Sequence, residues 1–485
     1  MIKNILNNWY IKYSFLSVVL SLLLLFAYYY QFIPVSIAGS IDIDITKDME
    51  FRGGGGRSLG YPYFMHFVSL FSDNILILRF SQLFLFSLSI VILSREFYLL
   101  TKSKVASYLL GASIFLNVKV SKYCFAITEE ALFIPLIIII TSLIIRVCRK
   151  FNIENVILLS LMVGLLASTR PIGLVFFPVL LIIFLLNLPK IRENFFLYLG
   201  VFIVPFIILV VSENYLYLFH EKSDYRTRTI GVNLIGKTPQ MAINKPKNSH
   251  YPSLSNLIYD KGLVIRKIID SQDSFALKQY FRNVLAVEYH DLGTMDEDIR
   301  NEIGKYSKEQ KNNNRDEITQ GVFVEYLHEN LDKYFQITIF NYIANWHLSE
   351  ILTEGNLYKL EGFTSSKLYK SIPKSMDIGL NDHIKTLARH TKYAVYAKIF
   401  MIATFVVTIV MLVLSLFNFI KLDDKSKAQP IDLLLIIFPL SLHGYLLAIS
   451  LIINVQMRFI LTFWPVIMLI FALVLVKTIE LKKAQ

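Results

Sequence analysis

About ten long apolar runs constrain this chain more than any other feature, because a helix needs roughly 20 consecutive apolar residues to cross a bilayer. The runs centre near Leu22, Phe86, Leu110, Ile139, Leu161, Leu181, Ile203, Val407, Leu446 and Leu469. Of the 485 residues, 54% are hydrophobic, enough to supply them all. In hydrocarbon every backbone N–H and C=O must be satisfied within the protein, so such runs fold as helices. The expected fold is an all-α polytopic membrane protein with about ten transmembrane helices. The first run is too long for a signal-peptide core and lacks a convincing small-residue cleavage site after it, so it reads as a retained span.

Lysine and arginine set the orientation. They cluster at Lys3 and Lys12, at Arg95, Lys102 and Lys104, and at Arg146, Arg149 and Lys150. Further clusters follow at Lys190 and Arg192, at Lys421, Lys425 and Lys427, and at Lys477, Lys482 and Lys483. These fall at every second loop, which places both termini in the cytoplasm. The net charge of +12 is mostly this bias and does not indicate nucleic-acid binding. Three regions follow: residues 1–212 with about seven helices, 213–391 outside the cytoplasm, and 392–485 with about three more. The middle region is too aromatic to be disordered, and Gly321–Trp346 repeats apolar residues at helical spacing. Val324, Leu327, Leu331, Tyr334 and Phe335 are expected to share one face, and Lys308–Arg315 is expected as a loop. No Asn-X-Ser/Thr sequon occurs, which favours a bacterial inner membrane. Cys124 and Cys148 fall at opposite membrane surfaces, which forbids a disulfide between them.

Residues 40–64, SIDIDITKDMEFRGGGGRSLGYPYF, crowd Asp42, Asp44, Asp48 and Glu50 beside Arg52, Arg57 and four consecutive glycines. Such glycines allow a ligand close to the backbone, whose N–H groups can face phosphate. Carboxylates, basic groups and accessible backbone at a membrane surface suit chemistry on a phosphate-bearing lipid. Three further features belong to the same outer side: Thr128–Phe133 (TEEALF), Ser168–Leu174 (STRPIGL) and Asn454–Pro465 (NVQMRFILTFWP). Mid-depth charges, which ion-coupled carriers use despite their cost, are essentially missing from the runs; His443 is the ionisable group there. That pattern suits a surface-facing enzyme better than a carrier.

In this order the motifs resemble those of the GT-C superfamily of polytopic glycosyltransferases, which includes protein O-mannosyltransferases and lipid A aminoarabinose transferases. The family's acidic first loop followed by a Gly-Tyr-Pro segment is similar to Asp42 and Asp44 with Gly60, Tyr61 and Pro62. Its Thr-Glu-Ser-Leu-Phe pattern resembles Thr128, Glu129, Glu130, Ala131, Leu132 and Phe133, and its Thr-Arg-Pro-Glu-Gly pattern resembles Thr169–Gly173 with Ile172 replacing the glutamate. Its Arg-Tyr near the last span is matched by Arg458 and Phe459. The resemblance is good over residues 14–212 and weaker after 395, and residues 213–391 resemble no family.

The resemblance implies a polyprenyl-phosphate-linked sugar as donor and transfer on the outer face, with a lipid-linked glycan as the expected acceptor. An acceptor hydroxyl must lose its proton as it attacks the anomeric carbon, and a carboxylate can take it; Asp44 is the first choice, then Asp42 and Asp48. Arg170 and Arg458 would hold the donor phosphate, with Arg52 and Arg57 in support, and Glu129 and Tyr61 complete the expected substrate contacts. Loss of phosphate on the face opposite the base makes the transfer inverting. The resemblance leaves a divalent metal open as a cofactor, as in some relatives, but no ligand set in the sequence argues for one. His383 and His390 read as surface residues. An O-antigen or polysaccharide polymerase is the rival enzyme, and a glycan or lipid exporter the rival without catalysis.

Overall fold

A computed structural model describes residues 9–30, 60–188, 192–221, 234–290, 297–309, 315–347, 354–366, 391–422, 428–452 and 457–484. Among these the regular elements are helices and no strand is present. In chain order they are α1 (Trp9–Tyr29), α2 (Gly60–Ser69), α3 (Ile75–Thr101), α4 (Lys104–Phe115), α5 (Val118–Phe125), α6 (Glu130–Arg149) and α7 (Ile153–Thr169). A 3-10 turn (Pro171–Val175) leads to α8 (Phe176–Leu186) and α9 (Phe195–Glu221). Then come α10 (Thr238–Met241), α11 (Pro252–Asp270), α12 (Phe275–His290), α13 (Glu297–Glu309), α14 (Arg315–Glu329), α15 (Leu331–His347) and α16 (Glu354–Thr364). The last four are α17 (Thr391–Lys421), α18 (Pro430–Ile452), α19 (Met457–Thr462) and α20 (Trp464–Ala484).

Six described helical stretches are long and apolar enough to cross a membrane: Lys12–Tyr29, Ile75–Thr101, Glu130–Arg149, Arg192–Ser212, Ala394–Lys421 and Pro430–Leu451. The runs centred on Leu110, Leu161 and Leu181 form shorter apolar helices. Local chemistry explains the first of these. Asn117 ends the run by accepting from the N–H groups of Lys119 and Val120, so α5 starts afresh behind α4.

The chain divides into two compact units, described separately. The first comprises residues 1–223, 408–444 and 461–485. Its centre is α6, buried along most of its length between α3 and α7, with α1 against α3 and α9 against α7. Pro205 interrupts the α9 backbone ladder, and Ser160 of α7 repairs it: its hydroxyl donates to Phe202 O at 2.7 Å and accepts from Phe206 N at 3.1 Å. Because α3 and α6 run in parallel while α7 returns, the C-terminal ends of α3 and α6 share one end of this bundle. The N-terminus of α6 and the C-terminus of α7 share the other.

The second unit comprises residues 224–407 and 445–460. Its core joins Ile258, Ile265 and Ile269 of α11, Phe281 of α12, Ile303 of α13 and Tyr326 of α14. The stretch expected as one helical face is two helices. Asn330 stops α14: its amide donates to Asn244 O and Tyr326 O, and its Oδ1 accepts from Asn244 N at 2.7 Å. α14 buries the face of Ile318, Val322, Phe323 and Tyr326, which leaves Val324 exposed, and beyond the break Leu331 and Phe335 are exposed as well; Leu327 and Tyr334 pack against the core. The expected loop at Lys308–Arg315 is likewise helical at Lys308 and Glu309, within α13, and at Arg315, where α14 starts. Lys237 is fully buried, its Nζ donating to the Ser450 and Leu451 carbonyls that end α18. Burial without a carboxylate partner pushes its pKa down to about 7.

Candidate functional site

The end of the first unit formed by α2, α6 and α7 gathers two of the four sequence motifs, Thr128–Phe133 and Ser168–Leu174, with the Gly60–Pro62 end of the first. α7 stops at Arg170, whose backbone is extended, and Pro171 opens the 3-10 turn that folds the chain back. Gly173 makes that fold possible. A Cβ there would lie 2.6 Å from Leu166 O and 2.8 Å from Ala167 N, so only glycine allows the turn to rest on the backbone of α7. The Thr-Arg-Pro-x-Gly pattern is thus a device for placing an arginine at a sharp corner.

Arg170 turns toward the start of α6. Its Nε lies 3.3 Å from Glu129 Oε2 and its Nη1 2.9 Å from Glu130 Oε1, and the guanidinium stands 5.5 Å from the Phe133 ring centre. The carboxylates differ in access: the Glu129 side chain is 20% exposed, Glu130 6%. Both sit at the N-terminus of α6, where the helix dipole favours negative charge. Removing one member of such a buried pair typically costs about 3–5 kcal/mol, because the other charge is left without compensation.

α2 meets the same corner backbone to backbone. A Cβ on Gly60 would lie 2.8 Å from Ser168 O and 2.9 Å from Thr169 Cα, so glycine is required for this approach too. Next to it Tyr61 is 2% exposed, and its hydroxyl accepts from Gln82 Nε2 at 2.6 Å. Tyr61 therefore positions Gln82 and packs α2 onto α3. One turn away from Gln82, Arg79 stands 4.6 Å over the Phe125 ring.

Four polar atoms in these elements are buried without a hydrogen-bond partner among the described residues: Arg79 Nε, Gln82 Oε1, Thr128 Oγ1 and Ser168 Oγ. Buried polar atoms are nearly always paired, so these four are candidate contacts for a bound water or a ligand. Neither Arg79 nor Gln82 stands in a sequence motif, and Ser168 enters only as the first residue of Ser168–Leu174. Arg79 and Gln82 lie inside an apolar run, and the only signal they gave was their polarity at i and i+3.

Asp42, Asp44, Asp48, Arg52 and Arg57 lie outside the described residues, as do His383, His390 and the side chain of Arg458, which belongs to α19. Among the described residues no three His, Cys, Asp or Glu side chains converge in a metal-binding arrangement. No protein-family model, curated protein or solved structure matches the chain.

Proposed function

We propose that this protein is a glycosyltransferase that moves a monosaccharide from a polyprenyl-phosphate carrier to a lipid-linked surface glycan. The reaction takes place at the outer face of a bacterial inner membrane, in a ten-span protein with cytoplasmic termini. The observation that carries the reading is the meeting of Gly60–Tyr61, Thr128–Glu130 and Thr169–Gly173 at one polar corner with donors and acceptors unpaired among the described residues. These motifs are far apart in sequence, and packing alone does not require a buried arginine between two carboxylates.

In the proposed reaction the acceptor oxygen forms a bond to the anomeric carbon as the bond from that carbon to the phosphate oxygen breaks. The acceptor proton passes to a carboxylate, an effect worth roughly 10²–10⁴ in rate. Asp44 takes this role, with Asp42 and Asp48 next in order; the segment that carries them joins α2 directly at Gly60. The departing lipid phosphate gains negative charge and is held by Arg458 with Arg52 and Arg57. Because Nε and Nη1 of Arg170 already face Glu129 and Glu130, Arg170 contributes by fixing the corner as well as by its charge.

The test is sugar transfer in membranes from a deletion strain that carries single variants, read as envelope-glycan composition by mass spectrometry. Asp44→Asn is expected to insert normally and to lower transfer by roughly 10² or more. If Asp42→Asn, Asp44→Asn and Asp48→Asn are all parent-like, the base moves to Glu129. Parent-like transfer by Glu129→Gln as well would end the glycosyltransferase reading, as would an unaltered glycan in the deletion strain.

A further inference from the structure

At the opposite end of the same bundle, Glu96 of α3 is completely buried and bound by three arginines. Its Oε1 accepts from Arg95 at 3.0 Å and from Arg146 at 2.8 Å, and its Oε2 accepts from Arg149 at 2.8 Å. One carboxylate neutralises one guanidinium, so the cluster keeps a formal excess of two positive charges. Arginines that only anchor a helix reach outward to the headgroups. These converge inward on one buried acid.

Beside them is a cavity of about 540 Å³. Glu96 and the three arginines, with Tyr13 and Ser14 of α1, give its polar lining, and Leu88, Ile92, Ile139, Leu143, Leu158 and Met162 its apolar wall. The wall descends along the helices: Leu88 precedes Glu96 by eight residues, about 12 Å at the helical rise. Half of a bilayer's hydrocarbon core is about 15 Å thick. A charged rim over an apolar wall of that depth has the shape of a lipid, with an anionic headgroup above and a hydrocarbon chain below. Basic pockets between membrane helices hold lipid phosphates in this way.

We propose that this cavity binds the phosphate of an anionic membrane lipid through Arg146 and Arg149, with the lipid chain lying along Ile92, Ile139 and Leu143. Glu96 is the spacer that holds the arginines together against their mutual repulsion. The site lies about 24 Å from the Arg170 corner, sixteen residues along α6 from Glu130 to Arg146 at the helical rise. It does not depend on the sugar-transfer reading, and its test contains no transfer step.

The test is native mass spectrometry of the delipidated full-length protein in detergent, with dioleoyl phosphatidate, dioleoylglycerol and inorganic phosphate as probes. The parent is expected to retain one phosphatidate, to reject dioleoylglycerol, and to keep the phosphatidate against equimolar inorganic phosphate. Arg146→Gln with Arg149→Gln should weaken phosphatidate binding about tenfold or more. Ile92→Trp keeps all four charges and fills the wall, so it guards against misfolding of the arginine variant; it should weaken binding to a similar degree. Equal retention of dioleoylglycerol, or displacement by equimolar phosphate, would overturn a lipid-phosphate site. Parent-like phosphatidate binding in Ile92→Trp would do the same.

Discussion

Gly60→Ala tests whether the corner works through the contact of α2 with the end of α7. The added Cβ would lie 2.8 Å from Ser168 O and 2.9 Å from both Ser168 C and Thr169 Cα. All three are backbone atoms, so no side chain can rotate away. Ordinary contact starts at 3.4 Å, and the two helices must therefore separate by about half an ångström. Overpacking of this kind costs about 1–3 kcal/mol. Functional constellations tolerate about 0.5 Å, and a misplacement of about 1 Å costs on the order of 10² in rate, so transfer should fall about tenfold. Gly200→Ala is the control, since a Cβ there has nothing within 4 Å. The assay pairs thermal unfolding in detergent with sugar transfer in membranes. Gly60→Ala should lose a few degrees and most of its activity, while Gly200→Ala should lose neither. A Gly60→Ala protein with parent stability and parent transfer would refute the backbone apposition and with it the reading of the corner.

Three other outcomes are expected. Arg170→Met should destabilise the protein by about 3 kcal/mol by removing the guanidinium that faces Glu129 and Glu130, and Arg170→Lys should insert normally but transfer at least tenfold more slowly, because an ammonium cannot face two carboxylates as a planar fork does; equal melting of Arg170→Met and parent would contradict the ion pairs. Lys237 titrates near 7 in the folded chain and near 10.5 when unfolded, so between those values the unfolded state binds the extra proton. Stability should rise with pH by up to about 1.4 kcal/mol per unit across that window and be lost as pH falls toward 7; Lys237→Met should flatten the slope in melting curves from pH 7 to 10. Reporter fusions at Asn312 and Ser426 should report opposite sides of the membrane, and the same side for both would overturn the ten-span topology.

The sequence carried the corner through motif order: Gly60, Glu129 and Arg170 stand in short patterns that the charge alternation assigns to one expected side of the membrane. The reasons for the glycines were not legible, because they concern the atoms that Gly60 and Gly173 rest on, and those belong to α7. Nor was the role of Glu130, whose partner is forty residues away. Arg95, Arg146 and Arg149 were read as topological charge, since positive residues at span ends need no further cause; only contact with Glu96 reveals a cluster. In the second unit helical periodicity was correct and the face was not. Apolar spacing continues across Asn330, but the side chain of Asn330 finds better partners in Asn244 and Tyr326 than in a longer helix.

Glu96 also sets an order for biogenesis. When α3 leaves the ribosome, Arg95 accompanies the acid, but the partner at Arg146 is fifty residues away. At synthesis rates of about 5–20 residues per second that interval is roughly 2.5–10 s. During it a carboxylate destined for full burial has only one of its arginines and stays hydrated at headgroup depth. Its burial is therefore a step that follows insertion of α3 and is completed when α6 packs against it.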